Sequence, residues 1–186
     1  MTRDEALALV RKHTKNQNLV RHMLAVEVVM RALARRLGGD EEAWGLAGLL
    51  HDADYEFVKE DTSRHTHQTL AWLKGYSISP EVLAAISSHA WKYMPDAPEP
   101  KTQMEWALYT CDELTGLIVA VALVKGKKLS EVTVESVLKK WKQKGFAAGV
   151  DRAQIELCES ELGIELREFI EIALRAMQNI NRKLGL

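Results

Sequence analysis

The stretch Gly48-Leu49-Leu50-His51-Asp52-Ala53-Asp54 decides how this chain is read. An apolar helical run delivers a histidine and then, with no residue between them, an aspartate. Burying an imidazole and an ionised carboxylate costs on the order of several kcal/mol unless each finds a partner. A divalent cation suits both at once, and it needs further ligands from the rest of the chain.

Helical periodicity surrounds the pair, and strand patterns are almost absent. Upstream, Thr2 and Glu5 form a capping-box pattern ahead of Ala6 to Val10. A longer helix is expected from about Gln17 to Leu37, with Leu19, Met23, Val26, Met30, Leu33 and Leu37 on one face and Gly38-Gly39 as its stop. Asp40 then caps the helix that ends at His51-Asp52. Downstream, Asp54 to Ser63 reads as loop, and Ser63 as the cap of a helix over His67 to Leu73. Ser79-Pro80 starts the next, carrying Val82, Ala85, Ile86 and His89. Met94 to Pro100 holds three of the four prolines and reads as an irregular connection. Helices follow over Met104 to Val124, Val134 to Lys144, Asp151 to Glu161 (with Asp151 and Gln154 as a capping box) and Ile164 to Arg182. The expected fold is all-α: one domain over 1–186, with a core at about 17–124 and a helical extension at about 127–186.

The composition agrees. The 186 residues are 47% hydrophobic and 27% charged, a globular balance, and the formal net charge of −1 gives no electrostatic drive toward nucleic acid. Specific nucleic-acid binding is therefore not expected. Cys111 and Cys158 are too few for a disulfide framework or a thiolate zinc site and read as reduced core residues of a cytoplasmic protein. The N-terminus carries acid at once and lacks a signal-peptide core. The apolar run Leu114 to Val124 falls short of the ~20 residues of a membrane span, so no membrane partner is expected.

Helical spacing brings more ligand types inward. His22 shares a face with Leu19, Val26 and Val29; His89 with Val82, Ala85 and Ile86; Asp112 with Leu108, Thr115 and Val119. Aspartate is a poor helix former and is rarely buried alone, so Asp112 inside so apolar a helix is an anomaly. Imidazole and carboxylate without thiolate suit manganese, iron, cobalt, nickel or zinc.

The order His22, His51-Asp52, Asp112 resembles the H…HD…D signature of the HD superfamily of metal-dependent phosphohydrolases. The resemblance covers His22 to about Val124 and includes Leu46 to Asp52 and Tyr109-Thr110-Cys111-Asp112-Glu113-Leu114. It implies an HD-type helical bundle with those four side chains around one divalent metal. His65, with Leu73 eight residues on, and Ile86-Ser87-Ser88-His89 resemble the extra ligands of two-metal members; His67 is the alternative to His65. Asp52 would then bridge both ions. Phe146-Ala147-Ala148-Gly149-Val150 and the helices after it are similar to the tail of a subgroup of predicted HD hydrolases.

The function implied is hydrolysis of a small phosphorylated molecule or nucleotide by a metal-activated water. Lys92, three residues after His89, is a candidate phosphate contact, and Trp91 a pocket wall. The sequence departs from the frequent HD-apolar-Gly-Lys continuation, reading His51-Asp52-Ala53-Asp54-Tyr55. Asp54 is thus either a partner that orients a ligand histidine, a proton acceptor for the attacking water, or a loop cap. The same six ligands also occur in HD proteins that hold two irons and activate oxygen. A third reading is a metal- or nucleotide-binding module without catalysis.

Overall fold

The computed structural model describes residues 1–186, and every regular element is helical. Helix α1 (Arg3–His13) begins with the expected capping box, in which Thr2 accepts from the Glu5 N–H and the Glu5 carboxylate reaches back to the Thr2 N–H. Helix α2 (Gln17–Leu37) is capped by Asn16 and ends at Gly38, whose left-handed φ of 77° a side chain would disfavour. Helix α3 (Glu41–Leu50) starts where the Asp40 carboxylate accepts from the N–H groups of Glu42 and Ala43, and it ends at His51.

Helices α2 and α3 make the most extensive helix–helix contact in the fold, and Gly48 permits their close approach. A Cβ at Gly48 would lie 2.9 Å from the Val26 carbonyl oxygen and 3.0 Å from the Glu27 backbone nitrogen. Backbone atoms cannot yield as a flexible side chain can. Gly48→Ala is therefore expected to destabilise the fold by about 1–3 kcal/mol, read from the midpoint of urea unfolding. A midpoint equal to that of the unsubstituted protein would contradict this packing.

After the His51-Asp52 pair the chain runs through turns to a short 3-10 turn at Thr62–Arg64 and then to helix α4 (His67–Leu73). Ser63 does not cap α4, because it sits inside the 3-10 turn. The residue before α4 is Thr66, at φ 66° and ψ −41°, with no side-chain cap. A β-branched residue there is strained. Helix α5 (Pro80–Ser88) starts as expected, with the Ser79 hydroxyl accepting from the Val82 N–H and proline at the first position.

Helix α6 (Gln103–Val124) is capped by Thr102 and is the central helix, with Leu108, Cys111, Leu114, Leu117 and Ile118 fully buried. Its apolar span is longer than Leu114 to Val124 suggested, and by length and composition it could cross a membrane. Here, 61% of its most apolar window is buried inside the protein. Helix α7 (Val134–Trp141) and helix α8 (Arg152–Leu162) follow. Asp151 caps α8, but Gln154 does not complete a box; its amide donates to the Tyr109 carbonyl oxygen at 2.6 Å. The last expected helix is two, α9 (Leu166–Gln178) and α10 (Asn181–Leu184), parted at Asn179–Ile180. The hydrophobic core is one continuous cluster of 44 buried residues from Ala6 to Leu184, so the C-terminal helices pack on the same core as the first six. It carries the ends of α2, α3 and α5 and the middle of α6 to one pocket.

Candidate metal centre

Each ligand candidate reaches the site from a different element. His22 comes from the first turns of α2 and Asp112 from the middle of α6, and their nearest atoms, Nε2 and Oδ1, are 2.8 Å apart. His51 and Asp52 follow α3 in a turn. That turn is pinned from outside by the Thr14 hydroxyl donating to the Ala53 carbonyl oxygen and by Glu56 accepting from the N–H groups of Lys15 and Asn16. His65 stands before the strained Thr66, and His89 is the residue that ends α5.

Asp52 lies at the middle. Its Oδ2 is 3.5 Å from His51 Nε2 and 3.8 Å from His22 Nε2. Its Oδ1 is 3.5 Å from both His65 Nε2 and His89 Nε2. One carboxylate thus faces two pairs of imidazoles with its two oxygens. Two overlapping groups of metal-ligand atoms result: His22, His51 and Asp112, and His51, Asp52 and His89. His51 Nε2 is also 3.5 Å from Asp112 Oδ1, which places it on the His22 side.

The remaining ring nitrogens decide whether a cation fits. His51 Nδ1–H donates to the Gly48 carbonyl oxygen at 2.8 Å, and His89 Nδ1–H to that of Ile86 at 2.6 Å. His65 Nδ1–H donates to Asp54 Oδ1 at 2.8 Å. The Thr115 hydroxyl donates to the Asp112 carbonyl oxygen and accepts from His22 Nδ1–H at 3.3 Å. With every Nδ1 committed as a donor, each neutral ring points an Nε2 lone pair at a carboxylate oxygen or at another ring. His65 Nε2 and His89 Nε2 are only 3.2 Å apart. His51 Nε2 is wholly buried without a hydrogen-bond partner. Lone pairs converging on carboxylates repel unless protons or metal cations stand between them, and this is the donor set that divalent transition metals take. The residues fit one or two such ions.

The charges tell the same story. Burial works against a charged His51, yet Asp52 and Asp112 beside it outweigh burial and push its pKa up to about 9. Burial likewise opposes ionisation of Asp112, but His51 and His22 hold it well below the usual carboxylate range. In the metal-free protein the His51 proton therefore stabilises the fold fully below the unfolded imidazole value, and that contribution is lost as pH rises through about 9. A metal needs the neutral ring and displaces that proton. Its apparent affinity should rise roughly tenfold per pH unit between neutrality and the His51 pKa. Calorimetry in buffers of different ionisation enthalpy should register a released proton at pH 7, and heats independent of the buffer would contradict this.

Asp54 has no exposed surface. One oxygen accepts from His65 and the other from the Thr69 N–H at 2.8 Å. His67, the alternative to His65, is outside the cluster and pairs with Asp96 at the surface.

The centre opens into a pocket of about 510 Å³. Trp91 lines it as expected. So does Lys92, whose backbone is left-handed at φ 66° and whose ammonium lies 4.0 Å from the centre of the Trp91 ring. Tyr55 and Tyr93 flank the mouth edge-on to His65. The sequence reading missed Tyr55, Tyr93, Tyr109, Glu113 and Gln154. Tyr109 and Glu113 adjoin Asp112 on α6, and their nearness to it was the available signal. Burial and the Asp112 carboxylate push Glu113 up to about 7.

An all-helical bundle with two joined His/Asp clusters opening into a pocket fits the class of metal-dependent hydrolases. Comparison with known proteins agrees: the HD domain profile matches residues 19–122, more than half of the chain, and the chain belongs to the HD superfamily of metal-dependent phosphohydrolases. It is also 32% identical over 83 residues to a ribonuclease Y of Sulfurovum sp. (strain NBC37-1). It is 34% identical over 83 residues to a ribonuclease Y of Desulforudis audaxviator (strain MP104C). Each alignment covers 45% of this chain, and the chain spans only 16% of the length of either relative.

Proposed function

We propose that this protein is a two-metal phosphohydrolase acting on a small phosphomonoester or nucleotide. The observation that carries the reading is Asp52, whose two oxygens face separate sets of imidazole lone pairs. His22, His51, Asp52 and Asp112 would hold one ion, and His65 and His89, with Asp52, the other. Bound there, divalent ions supply an activated water of pKa near ~7 and positive charge for a phosphate.

The other residues position and shield. Asp54 accepts the His65 Nδ1 proton and so fixes which nitrogen faces the centre. It is a poor proton acceptor for water, since both of its oxygens are engaged and neither is exposed. Lys92 stands at the pocket, where it can pair with a phosphate oxygen, and Tyr55 and Tyr93 narrow the mouth against bulk water. A cytoplasmic location is proposed with this reading.

The ribonuclease Y likeness favours a second reading, an RNA phosphodiester as substrate. The pocket weighs against it. Lys92 is the sole lysine or arginine among its lining residues, and the net charge is −1. Binding a polynucleotide backbone calls for several cations along a groove.

The test is phosphate release from phosphomonoesters, nucleotides and single-stranded RNA by protein purified without oxygen, with metal content assayed in parallel. The proposal predicts oxygen-independent release of inorganic phosphate from monoesters. Iron-dependent oxygen consumption without phosphate release would replace it with the oxygenase reading. Cleavage of RNA alone would replace the substrate class.

A further inference from the structure

The pocket has two chemically different walls. One is formed by the imidazoles and carboxylates of the metal centre. The other wall is built by α6 and the start of α8, from Tyr109, Glu113, Asp151 and Gln154. Glu113 is half-buried there. Its Oε2 accepts from the Asp151 N–H at 3.0 Å, while its other oxygen has no hydrogen bond within the protein and no lysine or arginine pairs with it. The Gln154 amide nitrogen is committed to the Tyr109 carbonyl oxygen, which leaves its own carbonyl oxygen as the free atom. Asp151 is engaged as the cap of α8.

Beside these acceptors lie aromatic faces. The Trp91 and Tyr109 rings are 5.5 Å apart, and both are braced by Trp106. The one cation of the pocket, Lys92, sits over Trp91. On this wall, then, the pocket offers open acceptor oxygens and π-faces. A half-buried carboxyl oxygen with no hydrogen bond of its own is best matched by a hydrogen-bond donor.

We propose that the substrate carries N–H donors outside its phosphate group, which meet the free oxygens of Glu113 and Gln154 while Trp91 and Tyr109 cover its flank. This rests on the phosphomonoesterase reading above. The shared chemistry is an amino or ammonium group, and its source is either an alkylamine or the donor edge of a nucleobase. A volume of about 510 Å³ accommodates either.

Two matched pairs of ligands test it on the full-length, manganese-loaded protein. Ethanolamine phosphate is compared with propyl phosphate, and guanosine monophosphate with purine riboside monophosphate, which lacks donors on its base. Dissociation constants come from calorimetry, and phosphate release is measured separately. In at least one pair the donor-bearing member should bind about tenfold tighter or more, and the pair that does so identifies the source. Glu113→Gln, which puts a donor where the free oxygen was, should collapse that ratio at unchanged helicity. Equal binding within both pairs, or a ratio that survives Glu113→Gln, overturns the proposal. A retained binding preference without phosphate release from any ligand supports it and sinks the hydrolase reading alone.

Discussion

Asp52→Ala should leave a folded helical protein that binds neither ion tightly and has lost its phosphate release. The substitution takes one oxygen from each half of the centre at once. Two imidazole pairs would remain, with Asp112 the only carboxylate among the six ligand positions. Transition-state charge stabilisation of several kcal/mol goes with the ions, so activity should fall by about a thousandfold or more. Metal analysis after dialysis, turnover and circular dichroism should change together in that pattern. Full activity at reduced metal content would show that the bridging carboxylate is not central. Unfolding is not expected, because Asp52 contributes no hydrogen bond to a helix and its place is at the pocket rather than in the 44-residue core.

Asp54→Asn should act on the second ion and only through His65. The amide oxygen can still accept from His65 Nδ1, but the amide nitrogen then meets the Thr69 N–H, donor against donor. Neutralising a carboxylate behind a ligand histidine also lowers the basicity of that histidine. Affinity for one of the two ions should drop about 10–100-fold, while the other is held as before. Excess metal should restore most of the activity. A proton acceptor for water would behave differently, with metal affinity unchanged and the maximal rate reduced at every metal concentration. That outcome would return Asp54 to the reaction itself.

The two positions differ in how legible they were. His22 and Asp112 sit within long helices, where spacing alone fixes which side chains point inward, and the fold places them 2.8 Å apart. The joining role of Asp52 came from the family resemblance; the distances that support it depend on the turn after α3. Asp54 admits three readings from sequence because its partners, His65 and the Thr69 N–H, lie 11 and 15 residues downstream. No local pattern announces such a meeting.

Local capping rules failed where tertiary contacts made a stronger demand. Ser63 looked like the cap of α4, but α4 begins after a strained Thr66, the residue that follows His65. Gln154 had the spacing of a capping box, yet its amide serves the Tyr109 carbonyl oxygen across the α6–α8 contact. The break at Asn179–Ile180 carries neither glycine nor proline, so an uninterrupted helix was the natural expectation. The walls of the pocket are the least legible part, being assembled from six separate segments by packing.

Anomalous diffraction from crystals of the metal-loaded protein, recorded at the absorption edge of the bound metal, tests the two-ion centre most directly. The account predicts two peaks about 3.5–4 Å apart, one among His22, His51 and Asp112 and one beside His65 and His89, with Asp52 between them. A single peak, or two peaks that Asp52 does not join, would contradict it.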